Sequence, residues 1–349
     1  MSRSMKAWRR ETYGPADGVT LERIPVPVPA RGEVLLRVRA TALNAGDVRL
    51  LLGDPLLVRP VFGLTRPKHP VRGMEVAATV VALGPDVVGA EIGEEVVGEL
   101  VGGGGLGEYV SVPASRLVPI PTGVTPEAAS CLPVAGGTAW QALDLARIGL
   151  SRTGLSRAGL SGGRLSEGGT TPRVLIIGAS GGVGTFAVQL AALRGAEVWA
   201  TCRDRNARLV EQLGAVRTFD HRVSPLSALP DGRFDAIVDI AGGMPLRELK
   251  RLVIPGGRVV LVTGDGGHVL GPLPRMLRAV FLSIGSRSIR PLAATPRPEV
   301  LAKLLDLVAE GRVVPVIERE YPFADASTAL SRLEAGHTVG KLVVAGSAV

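Results

Sequence analysis

The stretch "VLIIGASGGVGTFAVQLA", residues 174–191, runs an apolar strand into a glycine loop and then into an apolar-periodic helix. Within it Ala179, Gly181 and Gly184 stand at the spacing of a dinucleotide-binding loop, with alanine in the place of the usual first glycine. Such a loop turns backbone N–H groups and the positive end of a helix toward a pyrophosphate. Ser180, Gly181, Gly182 and Val183 would line it, the Ser180 hydroxyl serving as an added donor. About twenty residues further on, a second strand ends in "ATCRDR". An acidic residue there would bind a ribose 2'-hydroxyl. Here small Thr201 is followed by Arg203 and Arg205, which suits a 2'-phosphate and so favours NADPH. Asp204 lies between the two arginines and is expected to pair with one of them at the surface.

A loop of this kind needs a sheet beneath it, and the downstream sequence supplies one. Strand "RVLIIGA" is followed by a helix from Gly181 to Arg194, strand "EVWATC", helix "NARLVEQLG", strand "AIVDIAG", a helix around "PLRELKRLV" and strand "RVVLVTG". Strands alternating with helices of this length predict a doubly wound parallel sheet. Residues 5–120 read differently, as short strands separated by Gly and Pro, and predict an irregular β lobe. From Thr125, "TPEAASCLPVAGGTAWQALDLARIG" has a Thr N-cap, Pro at the first helical position and acid in the first turn. Residues 297–310 form another amphipathic helix, and the tail "VGKLVVAG" reads as a strand returning to the first lobe. The expected division is a β-rich lobe of 1–125 and 295–349 and a cofactor lobe of 126–294, with a cleft between them. Residues 149–171 carry an imperfect Gly-Leu-Ser-Arg repeat with neither period and read as a flexible insert.

Bulk properties agree with two cores and narrow the function. The 349 residues exceed what one core usually serves, and 46% of them are hydrophobic. The net charge of +8 comes from arginines spread along the chain, and only 3% of residues are aromatic, which argues against nucleic acid. Cys131 and Cys202 sit in apolar surroundings and read as reduced core thiols. No N-terminal apolar region or spanning run is present, so a soluble cytoplasmic protein is expected.

The segments "ATALNAGDVRLLLGDP", "GMEVAATVVALG", "GLGEYVSVPASRLVPIP", "AASCLPVAGGTAWQAL", "GASGGVGTFAVQLA" and "GHTVGKLVV" together resemble the medium-chain dehydrogenase/reductase superfamily. The likeness is nearest to its zinc-independent quinone oxidoreductase branch, which includes ζ-crystallin-like reductases. It implies a GroES-like catalytic domain, a Rossmann domain and a homodimer. By this likeness Asn44 is a donor at the nicotinamide end and Asp47 organises its loop. Arg49 is either an anion-stabilising donor or a surface ion-pair partner. Thr138 would lie near the nicotinamide, His221 beside the adenine, and Gly242, Gly243, Val262, Thr263 and Gly264 along the cofactor. Zinc-dependent relatives have a Cys near the position of Asn44 and a His at that of Met74, so no metal is expected. Tyr109, in "GEYV", reads as packing, and "VGGGG" at 101–105 as a turn.

Without a Lewis acid, the natural acceptors are quinones and α,β-unsaturated carbonyls, whose reduced anions are delocalised. The expectation is therefore an NADPH-dependent reductase of a small hydrophobic quinone or enone. A pathway-specific tailoring reductase or dehydrogenase, and a catalytically silent cofactor-binding scaffold, are the alternatives. Two apolar-basic segments, "LLGDPLLVRPVFGLTRPKHP" and "LGPLPRMLRAVFLSIGSRS", suit a substrate channel, a dimer interface or weak membrane-surface contact.

Overall fold

The computed structural model describes residues 3–149, 171–220, 222–223, 226–262, 268–283 and 285–347. His221, Thr263, Gly264 and nearly all of the Gly-Leu-Ser-Arg repeat lie outside the described residues. Among the described residues, fifteen strands follow in chain order: β1 (Ser4–Arg9), β2 (Thr20–Pro25), β3 (Glu33–Leu43), β4 (Glu75–Leu83), β5 (Glu95–Glu99), β6 (Tyr109–Pro113), β7 (Leu117–Pro119), β8 (Arg173–Ile177), β9 (Glu197–Cys202), β10 (Ala215–Asp220), β11 (Phe234–Asp239), β12 (Val253–Leu261), β13 (Ser288–Pro291), β14 (Ile317–Tyr321) and β15 (Lys341–Ala345). The chain divides into two compact units, one of residues 1–137, 267–271 and 295–349, the other of residues 138–266 and 272–294.

In the first unit the sheet order is β14-β15-β3-β4-β5-β7, with β6 also paired to β3. The long strand β3 is its hub. Val34, Leu36 and Val38 alternate onto one face and pack with Val76, Ala78, Val80, Val96 and Val112, the period of two that a half-buried strand requires. A second core gathers Trp8, Leu43, Leu51, Tyr321, Phe323, Leu330 and Leu342. The returning tail is antiparallel to β3 with Leu342 opposite Leu43, which sets Lys341 opposite Asn44.

The unit boundary differs from the expected break at 126. The helix Pro126–Ser130 packs on β3 and β4 and so belongs to the first unit. Thr125 caps it as expected, its hydroxyl accepting from Ala128 N–H at 3.2 Å. The single helix predicted beyond it is broken. Leu132–Gly136 forms a wider π turn before the helix Gly137–Ala146, around Pro133, which has no N–H to give. Residues 267–271 also join the first unit, because Leu56 N–H donates to His268 O and Leu57 N–H to Val269 O.

The second unit is a six-stranded, all-parallel sheet in the order β10-β9-β8-β11-β12-β13. Counted from β8 this is the 3-2-1-4-5-6 order of a Rossmann sheet. Its inner strand β8 buries Val174 to Ile177 without alternation, as a strand covered on both faces should. The helix Gly182–Leu193 buries every residue from Gly184 to Ala191. Strands β10 and β13 have no counterpart in the sequence reading, and part of the second apolar-basic segment is a helix, Leu273–Leu282. Leu277, Val280 and Phe281 on that helix are exposed. Among the described residues, no helix is long and apolar enough to cross a membrane. Cys131 and Cys202 are buried free thiols, pushed up to about 12 and about 11 by burial.

Candidate active site

The first unit holds a closed polar cluster where β3 ends. Asn44 follows β3 and precedes the helix Ala45–Leu52, while Glu75 opens β4 and Lys341 opens β15. Glu75 is fully buried and Lys341 almost so. Lys341 Nζ donates to Glu75 Oε1 at 2.7 Å and to Asn44 Oδ1 at 2.6 Å. Asn44 Nδ2 donates to Glu75 Oε1 at 2.8 Å and to Ala42 O at 3.3 Å. The chemistry of the partners fixes the amide: an ammonium only donates and must meet its oxygen, whereas a carboxylate only accepts and must meet its nitrogen. Glu75 Oε2 accepts from Val134 N–H at 2.8 Å, a donor presented by the π turn. Each carboxylate oxygen therefore has a partner, as a buried charge requires.

This network revises the role expected of Asn44. Both hydrogens of its amide are directed into the protein, so its side chain fastens three strands instead of offering a free donor. Asp47 ties Asn44 to Gly73. It is buried, and it accepts from Asn44 N–H and Gly73 N–H, each at 2.9 Å. Burial pushes its carboxyl up to about 6, with those two bonds and the Arg72 charge opposing the rise. Arg49 is exposed and forms no ion pair with a described residue. Glu99 stands opposite Glu75 across β4 and β5, and burial, aided by the Glu75 charge, pushes its carboxyl up to about 7. Sequence reasoning assigned no role to Glu75, Lys341 or Glu99. The visible sign was a charge at the head of an apolar run, in "GMEVAATVV" and "GKLVV". Among the described residues, no three His, Cys, Asp or Glu side chains form a group able to hold a metal ion.

In the second unit, the loop after β8 fits a dinucleotide phosphate. The left-handed turn falls at Gly178, with φ of +86°, one residue before the position at which alanine was taken to replace a glycine. Ala179 is simply buried packing. A Cβ on Gly184 would lie 2.2 Å from Gly178 O, so that glycine lets the helix press against the loop. A Cβ on Gly181 would meet nothing nearer than Gly178 O at 3.6 Å, which leaves open space above it. Ser180, Gly181, Gly182 and Val183 are half-exposed there, and N–H groups of the helix's first turn have no partner within the helix. Ser180 Oγ is steadied by Asn206 Nδ2 at 3.2 Å.

Thr201 is buried and holds this loop from beneath. Its hydroxyl accepts from Gly178 N–H and its carbonyl from Ala179 N–H, so it shapes the phosphate cradle. Arg203 is half-buried and Arg205 exposed, and neither pairs with a described acid. Asp204 does not pair with them as expected. Its backbone N–H instead donates to Asp220, whose carboxylate is engaged by Arg222. Asp239, at the end of β11, accepts from Gly242 N–H and from Arg275, which fixes the glycine turn at Gly242 and exposed Gly243. Val262 N–H donates to Asp239 O, and Thr138 is half-exposed near the start of its helix.

Lys341→Met should lower unfolding stability by ~3–5 kcal/mol in urea titration, because it strands the buried Glu75 charge. The double variant with Glu75→Gln should recover part of that loss. A single-variant effect below ~1 kcal/mol would show the pair to be incidental. Gly184→Ala should cost ~1–3 kcal/mol of stability by overpacking. Gly181→Ala should leave stability nearly unchanged but weaken the cofactor at least about tenfold. Equal stability of the two variants would refute the division of labour between these glycines.

Residues 30–122 match the model of the alcohol dehydrogenase GroES-like domain, and residues 213–344 that of a zinc-binding dehydrogenase. A chloroplast envelope quinone oxidoreductase homolog of Arabidopsis thaliana is 35% identical, over 97% of this chain and 98% of its own. A 2-methylene-furan-3-one reductase of Solanum lycopersicum is 31% identical, over 97% of this chain and 79% of its own. The solved quinone oxidoreductase of Coxiella burnetii superposes with a TM-score of 0.84 at 26% identity, covering 98% of this chain and 99% of that one. With a Rossmann sheet, a phosphate loop and relatives matched over nearly their whole length, the chain belongs to the medium-chain dehydrogenase/reductase superfamily, among its quinone oxidoreductase-like enzymes.

Proposed function

We propose that this oxidoreductase is a zinc-independent, NADPH-dependent reductase of quinones or α,β-unsaturated carbonyls. The observation that carries the reading is the closed cluster at Asn44. Its oxygen is bound by a lysine ammonium and its nitrogen by a carboxylate and a carbonyl, so the cation held at this point of the fold is Lys341. That arrangement suits an acceptor whose reduced form carries its own charge by delocalisation. The names of two relatives, a quinone oxidoreductase homolog and a 2-methylene-furan-3-one reductase, are in keeping with it.

When bound, the reduced nicotinamide supplies the hydride. The chain supplies binding and orientation. Gly182 and Val183 would present N–H groups to the pyrophosphate, while the Gly181 N–H donates to Gly178 O and, with Thr201, holds that cradle in shape. The unpaired cations Arg203 and Arg205 are free to take a 2'-phosphate. Asp47 locks the Asn44 loop against Gly73, fixing the surface that meets the acceptor. A homodimer belongs to the same reading, with exposed Leu277, Val280 and Phe281 as apolar surface in need of a cover.

The test is NADPH oxidation followed with a panel of quinones, enones and aldehydes, with and without a chelator. Saturable, chelator-insensitive turnover of several quinones or enones is expected. Aldehyde-only turnover that the chelator abolishes would overturn the reading, and cofactor-induced thermal stabilisation without turnover would favour a silent scaffold. In the same assay Arg205→Ala should remove ~1.5–3 kcal/mol of binding, weakening NADPH roughly ten- to a hundredfold while sparing NADH. An unchanged NADPH to NADH preference would remove Arg205 from the phosphate site.

A further inference from the structure

The donors of the Asn44 loop are largely committed within the protein. Asn44 Nδ2 is spent on Ala42 and Glu75, Lys341 Nζ serves Asn44 and Glu75, and the Asn44 and Gly73 N–H groups serve Asp47. Two guanidinium groups nearby in sequence are not committed. Arg49 is exposed and solvated, which costs nothing. Arg72 is different: it is only 3% exposed, yet its side chain makes no hydrogen bond or ion pair with a described residue. Its Nε is sealed from solvent without an acceptor, while the two terminal nitrogens, equally unpartnered, are not sealed.

A buried guanidinium left without acceptors carries a desolvation cost, and native structures rarely accept one without a use for it. The surroundings point to that use. Arg72 directly precedes Gly73, whose N–H is fastened to Asp47, and the Asp47 carboxylate lies within Coulombic reach of the guanidinium without bonding to it. That charge keeps Arg72 tolerable in the interior, and its two oxygens are already taken by backbone N–H groups. The neighbouring His69 is held neutral by burial and by the charges of Arg72 and Lys68, so it adds no second cation. The Asp47 carboxylate beside it offsets part of the Arg72 charge, which suits a neutral carbonyl that gains negative charge better than a permanent polyanion.

We propose that Arg72 is the oxyanion donor of the site, binding the carbonyl oxygen of the acceptor through its terminal nitrogens. The proposal rests on the quinone or enone reading above. With an enone, hydride from the reduced nicotinamide would form a C–H bond at the β-carbon and the displaced C=C electron pair would move onto the carbonyl oxygen; with a quinone, the hydride would form an O–H bond at one oxygen and the displaced pair would move through the ring onto the other. The resulting enolate or hydroquinone anion is held by Arg72 until water supplies the proton. The acceptor is reduced by two electrons and the nicotinamide is oxidised by two.

The experiment compares Arg72→Met, Arg72→Lys and Arg39→Met. It uses acceptor kinetics, cofactor affinity by fluorescence, melting temperature, and the absorbance shift of p-nitrophenolate, a coloured mimic of the hydroquinone anion. Arg72→Met should lower kcat about 10²–10³-fold and abolish the p-nitrophenolate shift, while cofactor affinity is kept and the melting temperature is unchanged or raised. Arg72→Lys should restore part of the rate, and Arg39→Met, at an exposed arginine of the same unit, should behave as wild type. Arg72→Met with acceptor kinetics and phenolate binding within about twofold of wild type would overturn the proposal, leaving a guanidinium satisfied by water alone. A lowered melting temperature with parallel loss of cofactor and phenolate binding would overturn it in favour of a structural role. If wild type reduces no quinone or enone, the reading above fails separately. Phenolate binding then decides for Arg72: a shift lost only in Arg72→Met supports an anion site, and no shift in wild type removes it.

Discussion

A lysine ammonium and a glutamate carboxylate, both withdrawn from water, hold the first unit in register. Neither charge is tolerable there alone, and together they are acceptable only because every Glu75 oxygen finds a donor. That requirement binds distant parts of the sequence. The C-terminal strand must return beside β3 to deliver Lys341, and Glu75 must stand at the head of β4. The helix after Thr125 must widen at Pro133 to free the Val134 N–H. Asn44, caught between the two charges, is thereby fixed at the start of the helix that carries Asp47.

Much of this was legible in the sequence, and the rest was hidden for physical reasons. The parallel sheet, the phosphate loop and the returning tail follow from apolar periodicity and glycine spacing, which report backbone requirements directly. The Thr125 cap was equally plain, since its signal lies within three residues. The break in the next helix was less so, because Pro133 lies within a run of otherwise helical composition. Strands β10 and β13 escaped because "AVRTFD" and "SIRP" are short edge-side segments with little apolar alternation. The site was partly misread for a different reason. A residue such as Asn44 or Thr201 announces its type but not its partner, and the partners, Lys341 and Gly178, are set by tertiary register. The glycine loop likewise showed its spacing without showing which glycine turns left-handed. Only the backbone at Gly178 identifies the turn, and only the close approach at Gly184 explains the last glycine.

The two units thus contribute different kinds of order. The second offers a phosphate cradle that is open at Gly181 and flanked by unpaired arginines, and the first offers a rigid, internally neutralised loop. Among the described residues neither places a general acid in this loop or cradle, so the chemistry proposed for the chain leans on binding, orientation and a charge spread through the acceptor.

The most direct measurement of that chemistry traces the transferred hydride. With NADPH deuterated at the reactive carbon and a simple enone as acceptor, NMR of the product locates the label. The account predicts deuterium on the carbon β to a surviving carbonyl. Deuterium on the carbonyl carbon of an allylic alcohol would mark an alcohol dehydrogenase and contradict it.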